Sequence, residues 1–185
     1  MKVKGLLVAA VAAMLCFGAR SASAIEAPNH EGDVNLNAHF GFVPGIGANV
    51  SVDYVLVNSW WEGHFTIGGF GGFNQDRDTY TGVGYKYEQV YSNISVMARA
   101  TYGLNISDIF EVHAGAMTGP CFRSWKYEVK DGTYTFNDAD DKEVTIDGAG
   151  FVGCRLFVSD GFALSAEIIG GAYESYFNLG VSFKF

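Results

Sequence analysis

Apolar and polar residues alternate one by one along most of this chain. Residues 33–42 place Val34, Leu36, Ala38, Phe40 and Phe42 on one face, and Asp33, Asn35, Asn37, His39 and Gly41 on the other. A period of two does not fit a helical stripe and predicts a strand with one apolar face. The pattern recurs over 48–57, 64–73, 85–102, 110–128, 144–158, 162–169 and 176–185. In 85–102, Ile94, Val96, Ala98, Ala100 and Tyr102 oppose Asn93, Ser95, Met97, Arg99 and Thr101. In 144–158, Val152, Cys154 and Leu156 oppose Phe151, Gly153 and Arg155. These eight segments predict an all-β chain, with most strands near the ~9–11 residues that cross a bilayer when tilted. Of the connections between them, 74–84 and 129–143 are long. As the third and fifth connections they fall at one end of an up-and-down array, the asymmetry of outer-membrane barrels.

Alternation alone fits two arrangements. A soluble barrel turns its apolar face inward, whereas a membrane barrel turns it toward lipid. A water-exposed sheet face would be rich in Lys and Glu. Here the polar face is mostly Asn, Ser, Thr and Gly, with a few charges of both signs: Arg99, Arg155 and Lys184 against Asp33, Asp53, Glu111 and Glu167. That composition suits a narrow, hydrogen-bonded lumen. The apolar face carries no charge in mid-strand, as lipid contact requires. The aromatics Tyr54, Tyr102, Trp60 and Trp61 cluster toward one end, where rings with a polar edge suit a headgroup region.

The N-terminus breaks the pattern. Lys2 and Lys4 precede an uncharged apolar run, and Ala22-Ser23-Ala24 offers small residues before Ile25. These features predict a cleaved signal peptide over 1–24, a short polar lead over 25–31 and a barrel over 32–185. The full chain has 185 residues, 12 Lys+Arg and 20 Asp+Glu. Loss of Lys2, Lys4 and Arg20 leaves 9 basic residues against the same 20 acidic ones, a formal charge of −11. So acidic a product argues against a nucleic-acid partner. No cofactor is indicated.

Buried lumen charges must pair. A turn centred near 105–106 would set Arg99 nearly opposite Glu111 or His113, and Arg155 relates similarly to Glu167 across 159–161. Eight strands leave an interior just wide enough for side chains, so these residues are expected to plug it. A gate on a narrow ion path is the alternative. His39, His64 and His113, with Ser51, Ser95 and Ser165, raise a lipid-modifying enzyme, but triads are recognised by geometry and no local motif supports one. His113 beside Glu111 supplies too few ligands for a metal. Cys121 and Cys154 flank 129–143 and lie in an oxidising compartment; strict alternation puts them on opposite faces, whereas a bulge at Gly119-Pro120 would bring them together. The 129–143 segment is acidic, with Asp138, Asp140 and Asp141, but lacks the EF-hand pattern.

The final segment, Tyr-Phe-Asn-Leu-Gly-Val-Ser-Phe-Lys-Phe, resembles the C-terminal signal strand of bacterial outer-membrane proteins. Phe177, Leu179, Val181, Phe183 and terminal Phe185 carry that resemblance. With the signal peptide and eight strands, the chain resembles small OmpA/OmpX-like barrels over nearly all of 32–185. The resemblance implies an eight-stranded antiparallel up-and-down transmembrane β-barrel in the outer membrane, recognised by the barrel assembly machinery through its last strand. It further implies a periplasmic N-terminus, outward loops 74–84 and 129–143, and a lumen plugged by charged side chains. The expected role is envelope structure or contact with a surface ligand whose identity the sequence does not give. A narrow pore is the second reading, and a lipid-modifying enzyme the third.

Overall fold

The computed structural model describes residues 29–42, 45–60, 63–82, 85–131, 141–171 and 177–185. Eight strands follow one another: β1 (Val34–Phe42), β2 (Ile46–Trp60), β3 (Gly63–Gly82), β4 (Tyr85–Ser107), β5 (Phe110–Asp131), β6 (Asp141–Ser159), β7 (Phe162–Gly170) and β8 (Phe177–Lys184). Each pairs antiparallel with the next, and β1 pairs with β8 to close the ring. The seal at the chain ends is a pair of backbone bonds, Val34 N to Phe185 O at 3.0 Å and Phe185 N to Val34 O at 2.9 Å. Each segment with period-two alternation falls on one strand, save its end residues Asp33 and Phe185; Tyr176 lies outside the described residues.

The faces fall as the alternation requires. Phe40, Val50, Val52, Ile94, Val96, Val152, Ile168 and Leu179 are exposed on the outer wall, whereas Asn35, Asn37, Ser51, Asp53, Ser95, Arg99, Glu111, Arg155 and Glu167 are buried inside. A water-soluble protein would not leave so wide an apolar surface bare. Two inward glycines let strands approach closely. A Cβ on Gly68 would meet the Val52 carbonyl at 1.9 Å, and one on Gly180 the Ala38 carbonyl at 1.9 Å.

Several sequence expectations need correction. Over residues 74–82 the segment expected as a loop is strand: β3 runs to Gly82 and β4 begins at Tyr85, with 83–84 outside the described residues. Thr79, Tyr80, Thr81 and Tyr87 favour extended backbone, and Tyr80 stacks on Tyr87 with ring centroids 5.0 Å apart. Likewise β5 continues to Asp131 and β6 starts at Asp141, which shortens the connection expected over 129–143. Asp138 and Asp140 lie outside the described residues. At the opposite end β4 runs to Ser107, so the turn is Asp108-Ile109 rather than 103–109.

The strands are therefore very unequal. β4 has 23 residues, about twice the ~9–11 needed to cross a bilayer. β2 stops pairing with β3 at Ile46–Gln75, and β7 stops pairing with β6 at Gly170–Gly150. Beyond those rungs, β3, β4, β5 and β6 continue as a four-stranded sheet. It projects from the end of the barrel opposite the chain termini.

Candidate functional site

The lumen is filled in layers, starting from the end that holds the termini. Asn29, in the lead before β1, is fully buried there. A turn at residues 30–33 tucks it in: Gly32 has φ 95°, the Asp33 N–H donates to the His30 carbonyl at 3.1 Å, and the His30 N–H donates to Asp33 Oδ2 at 2.7 Å. The Asn29 amide donates to Glu111 Oε2, and its Oδ1 accepts from Asn35 at 2.7 Å. Lys184 and Asp33 form a rim pair at 3.8 Å beside this plug.

The charged layer follows. Arg99 on β4 grips Glu167 on β7 with both terminal nitrogens, at 2.6 and 3.2 Å. Its Nε faces Asp53 Oδ1 at 3.2 Å. Arg155 on β6 donates to Glu111 on β5 at 2.7 Å, to Asn37 at 3.2 Å and to Asp53 Oδ2 at 3.5 Å. Asp53 thus stands between the two guanidinium groups. His113 links the two pairs, with Nδ1 3.3 Å from Glu111 and Nε2 3.1 Å from Glu167. His64 closes on Glu111 at 3.6 Å. In a low-dielectric interior such charges persist only when partnered on several sides.

The structure brings together Arg99, Glu111, His113, Arg155, Glu167 and Asp53, but the pairings differ from those the turn positions suggested. Arg99 lies across from Met117, and Arg155 across from Ser165 on β7 and Glu111 on β5. The two-residue turn at 108–109 moves the β4–β5 register, so Arg99 faces away from Glu111 and reaches Glu167, whereas the β5–β6 register sets Arg155 directly across from Glu111. His64 and Asn29 join this network from places the charge pattern did not single out. His64 sits on the inward parity of β3, which is the one signal that would have found it.

Above the charges lies an apolar layer: Phe70, Met97, Met117, Cys121, Ala149, Phe151 and Ile169, all buried and clustered. The Arg99 guanidinium rests 3.9 Å above the Phe151 ring centroid, joining the two layers by a cation–π contact. Farther out, Arg123 pairs with Asp147 and approaches Glu143 at 3.9 Å. The lumen is plugged by apolar as well as charged side chains. Its apolar members interrupt the polar face at Met97, Met117 and Phe151.

Both cysteines are free. Cys121 faces inward, 3.4 Å from Ser95 Oγ, and lies across from Thr145; Cys154 lies across from Val112. The β5–β6 register runs unbroken through Gly119 and Pro120, so there is no bulge to unite the thiols. The mature chain is expected to run identically on reducing and non-reducing gels and to accept two maleimide groups once unfolded. A non-reducing mobility shift removed by thiol would contradict this register.

Of the candidate Ser–His relay, one pair meets, and it does so inside the lumen. His39 Nε2 lies 2.9 Å from Ser165 Oγ, and its Nδ1 lies 3.1 Å from Asn49 Oδ1. All three are buried in the lumen, on the parity opposite to lipid. Among the described residues there is no metal-ligand cluster. Tyr54 is exposed on the outer wall near the termini, and Tyr102 is half-buried there. Trp60 ends β2, with its side chain outside the described residues, as is all of Trp61. In β8, Phe177, Leu179 and Phe183 point outward, Val181 is half-buried and Phe185 is exposed.

A closed ring of eight antiparallel strands, apolar outside and filled inside, defines the class of small outer-membrane β-barrels. The solved structures similar to this chain belong to that class. The N-terminal β-barrel domain of Pseudomonas aeruginosa OprF is 12% identical, with a TM-score of 0.50 over 85% of this chain and all of that domain. Yersinia pestis Ail, solved with the heparin analogue sucrose octasulfate, is 14% identical, with a TM-score of 0.49 over 84% of this chain and all of Ail. Neisserial surface protein A is 11% identical, with a TM-score of 0.40 over 82% of this chain and 93% of its own. No family model and no curated protein matches the chain. At such identities the likeness concerns the fold.

Proposed function

We propose that this protein is a non-enzymatic integral barrel of the bacterial outer membrane. Its sealed lumen makes it a rigid post, and its projecting sheet is the part that meets the surroundings. One observation carries this reading: two successive layers close the lumen, the Arg99–Glu167/Arg155–Glu111 network and the Phe70–Met97–Met117–Phe151 cluster. Residues 1–24 direct export and are removed. Membrane lipid is the partner of the wall, and β8 with Phe177, Leu179, Val181, Phe183 and Phe185 is the strand offered to the assembly machinery.

Charge supports an orientation with the termini in the periplasm. The outer wall ends its apolar belt on the rung Phe73–Ile94–Phe122–Val144, all exposed. The next outward rungs bring Lys142, then Arg77 and Lys126. An anionic leaflet attracts such basic side chains at headgroup level. This end therefore suits the outer leaflet with its phosphorylated glycolipid. The sulfated sugar named with Ail does not suit the inward face of the sheet, whose edges carry Asp76, Asp78 and Asp141.

The mature chain refolded in detergent is expected to run faster on a gel unboiled than boiled. In planar bilayers it is expected to pass no steady current. A stable conductance would overturn the sealed post in favour of a narrow pore, and release of labelled acyl chains from lipid would overturn the non-enzymatic reading.

A further inference from the structure

The projecting sheet has two chemically different faces. On the lumen side, the rung Asp76–Tyr91–Trp125–Asp141 crosses all four strands as acid, ring, ring, acid. Above it lies Asp78–Gln89–Tyr127, then Tyr80 opposite Tyr87. The rings touch one another: Tyr80 and Tyr87 stack at 5.0 Å, Tyr87 and Tyr127 lie tilted at 6.5 Å, and Gln89 donates to the Tyr127 hydroxyl at 3.0 Å. Burial, the neighbouring Tyr80 and Tyr127 hydroxyls and the Asp78 carboxylate push the Tyr91 hydroxyl up from its ordinary range, as one shared field would. Asp78, Asp141, Tyr80 and Tyr127 are exposed, and Asp76, Tyr91 and Trp125 are half-buried.

Such a surface selects its ligand. Among the described side chains, Arg123 is the cation on this face, at its base, and it is already held by Asp147 and Glu143. Asp78 and Asp141 form no ion pair among the described residues. Strands about 4.8 Å apart put the two acidic edges roughly 14 Å from each other, enough for one extended chain to lie over the rings between them. Aromatic faces attract guanidinium and ammonium groups and cover their aliphatic stems. Carboxylates on both margins complete the charge. A neutral sugar would use the rings but leave both acidic margins unanswered, and an anionic glycan would be repelled.

We propose that this face is a docking surface for an arginine- or lysine-rich polypeptide segment. Tyr87, Tyr91, Trp125 and Tyr127 form its floor, and Asp76, Asp78 and Asp141 form its rims. The inference rests on the outward orientation above for the partner's access, but the binding itself does not. Detergent-refolded barrel therefore tests the surface, and labelling of intact cells at a cysteine placed at Thr79 tests the orientation separately.

The probe is fluorescein-labelled hexa-arginine, read by anisotropy, with hexa-glutamate as control. The mature chain should bind the cation saturably and not the anion. Asp76→Asn/Asp78→Asn/Asp141→Asn should weaken binding about tenfold, as three surface charge contacts together would. Trp125→Leu/Tyr91→Leu, which leaves the charge unchanged, should weaken it about threefold or more. Each variant should keep the gel shift of a folded barrel. Equal binding by the triple variant would overturn the proposal, as would equal binding by the ring variant or displacement of the peptide by a neutral oligosaccharide.

Discussion

Arg155→Met destabilises the folded barrel by about 3–5 kcal/mol, the cost of breaking a buried ion pair from one side. Arg155 is almost wholly buried and donates to Glu111, Asn37 and Asp53. Methionine fills much of its volume but supplies no donor. Glu111 then retains only His113, His64 and Asn29, and Asp53 retains Arg99 and Asn37. The penalty arises chiefly from carboxylates left without their cation, so removing one of them should recover part of it. Arg155→Met/Glu111→Gln is expected to be more stable than Arg155→Met alone, although it has lost one more charged group. Urea unfolding in lipid vesicles, followed by tryptophan emission, measures both. A single variant within about 1 kcal/mol of the native chain would show that water reaches this layer and that the lumen is not sealed there.

The same residues show what the sequence reveals and what it withholds. Alternation identifies the strands because lipid on one side and a crowded lumen on the other impose opposite demands on neighbouring residues. It also assigns Arg99, Arg155, Glu111 and Glu167 to one interior, since charge on the opposite parity would face lipid. It does not say which arginine holds which acid. That depends on register, and register depends on the turn. Placing the turn at 103–109 instead of 108–109 is enough to aim Arg99 at Glu111 rather than across the lumen to Glu167. The projecting sheet escapes detection for another reason. Above the apolar belt both faces of β3 and β4 meet water, so Asp76–Thr81 carries no apolar alternation and resembles a loop. Asn29 belongs to no repeating pattern. Its burial follows from the turn at Gly32 and from the donor that Glu111 still lacks. Met97, Met117 and Phe151 stand on the inward parity, yet the Asn, Ser, Thr and Gly around them make that face read as a wholly polar lumen. That they form one layer follows only once the register sets Met117 across from both Arg99 and Ala149.

The two lumen layers act in series, so opening one should not open the barrel. Phe151→Ala removes one of the two phenyl rings of the apolar layer and the surface on which Arg99 rests. Truncation of a buried phenylalanine costs about 3–5 kcal/mol, yet the Arg99–Glu167 and Arg155–Glu111 pairs still span the interior below it. Planar-bilayer recordings of this variant are expected to show no steady current. Arg99→Ala/Glu167→Ala removes a cation and an anion together, and Asp53 keeps Arg155 as its cation. The apolar layer above still excludes hydrated ions, because its phenylalanine, methionine and isoleucine side chains do not replace their water. This variant too should remain silent. Combining Phe151→Ala with Arg99→Ala/Glu167→Ala joins the space left by the ring to the space left by the guanidinium that rests on it, beside the remaining Arg155–Glu111 pair, and steady conductance should appear. Current through Phe151→Ala alone would mean that the charged layer already passes ions and the apolar layer is the sole seal. Current through Arg99→Ala/Glu167→Ala alone would assign the seal to the charges. Silence of the combined variant, with its folded gel shift retained, would place the barrier at the remaining Arg155–Glu111 pair or farther out, at Arg123 and Asp147.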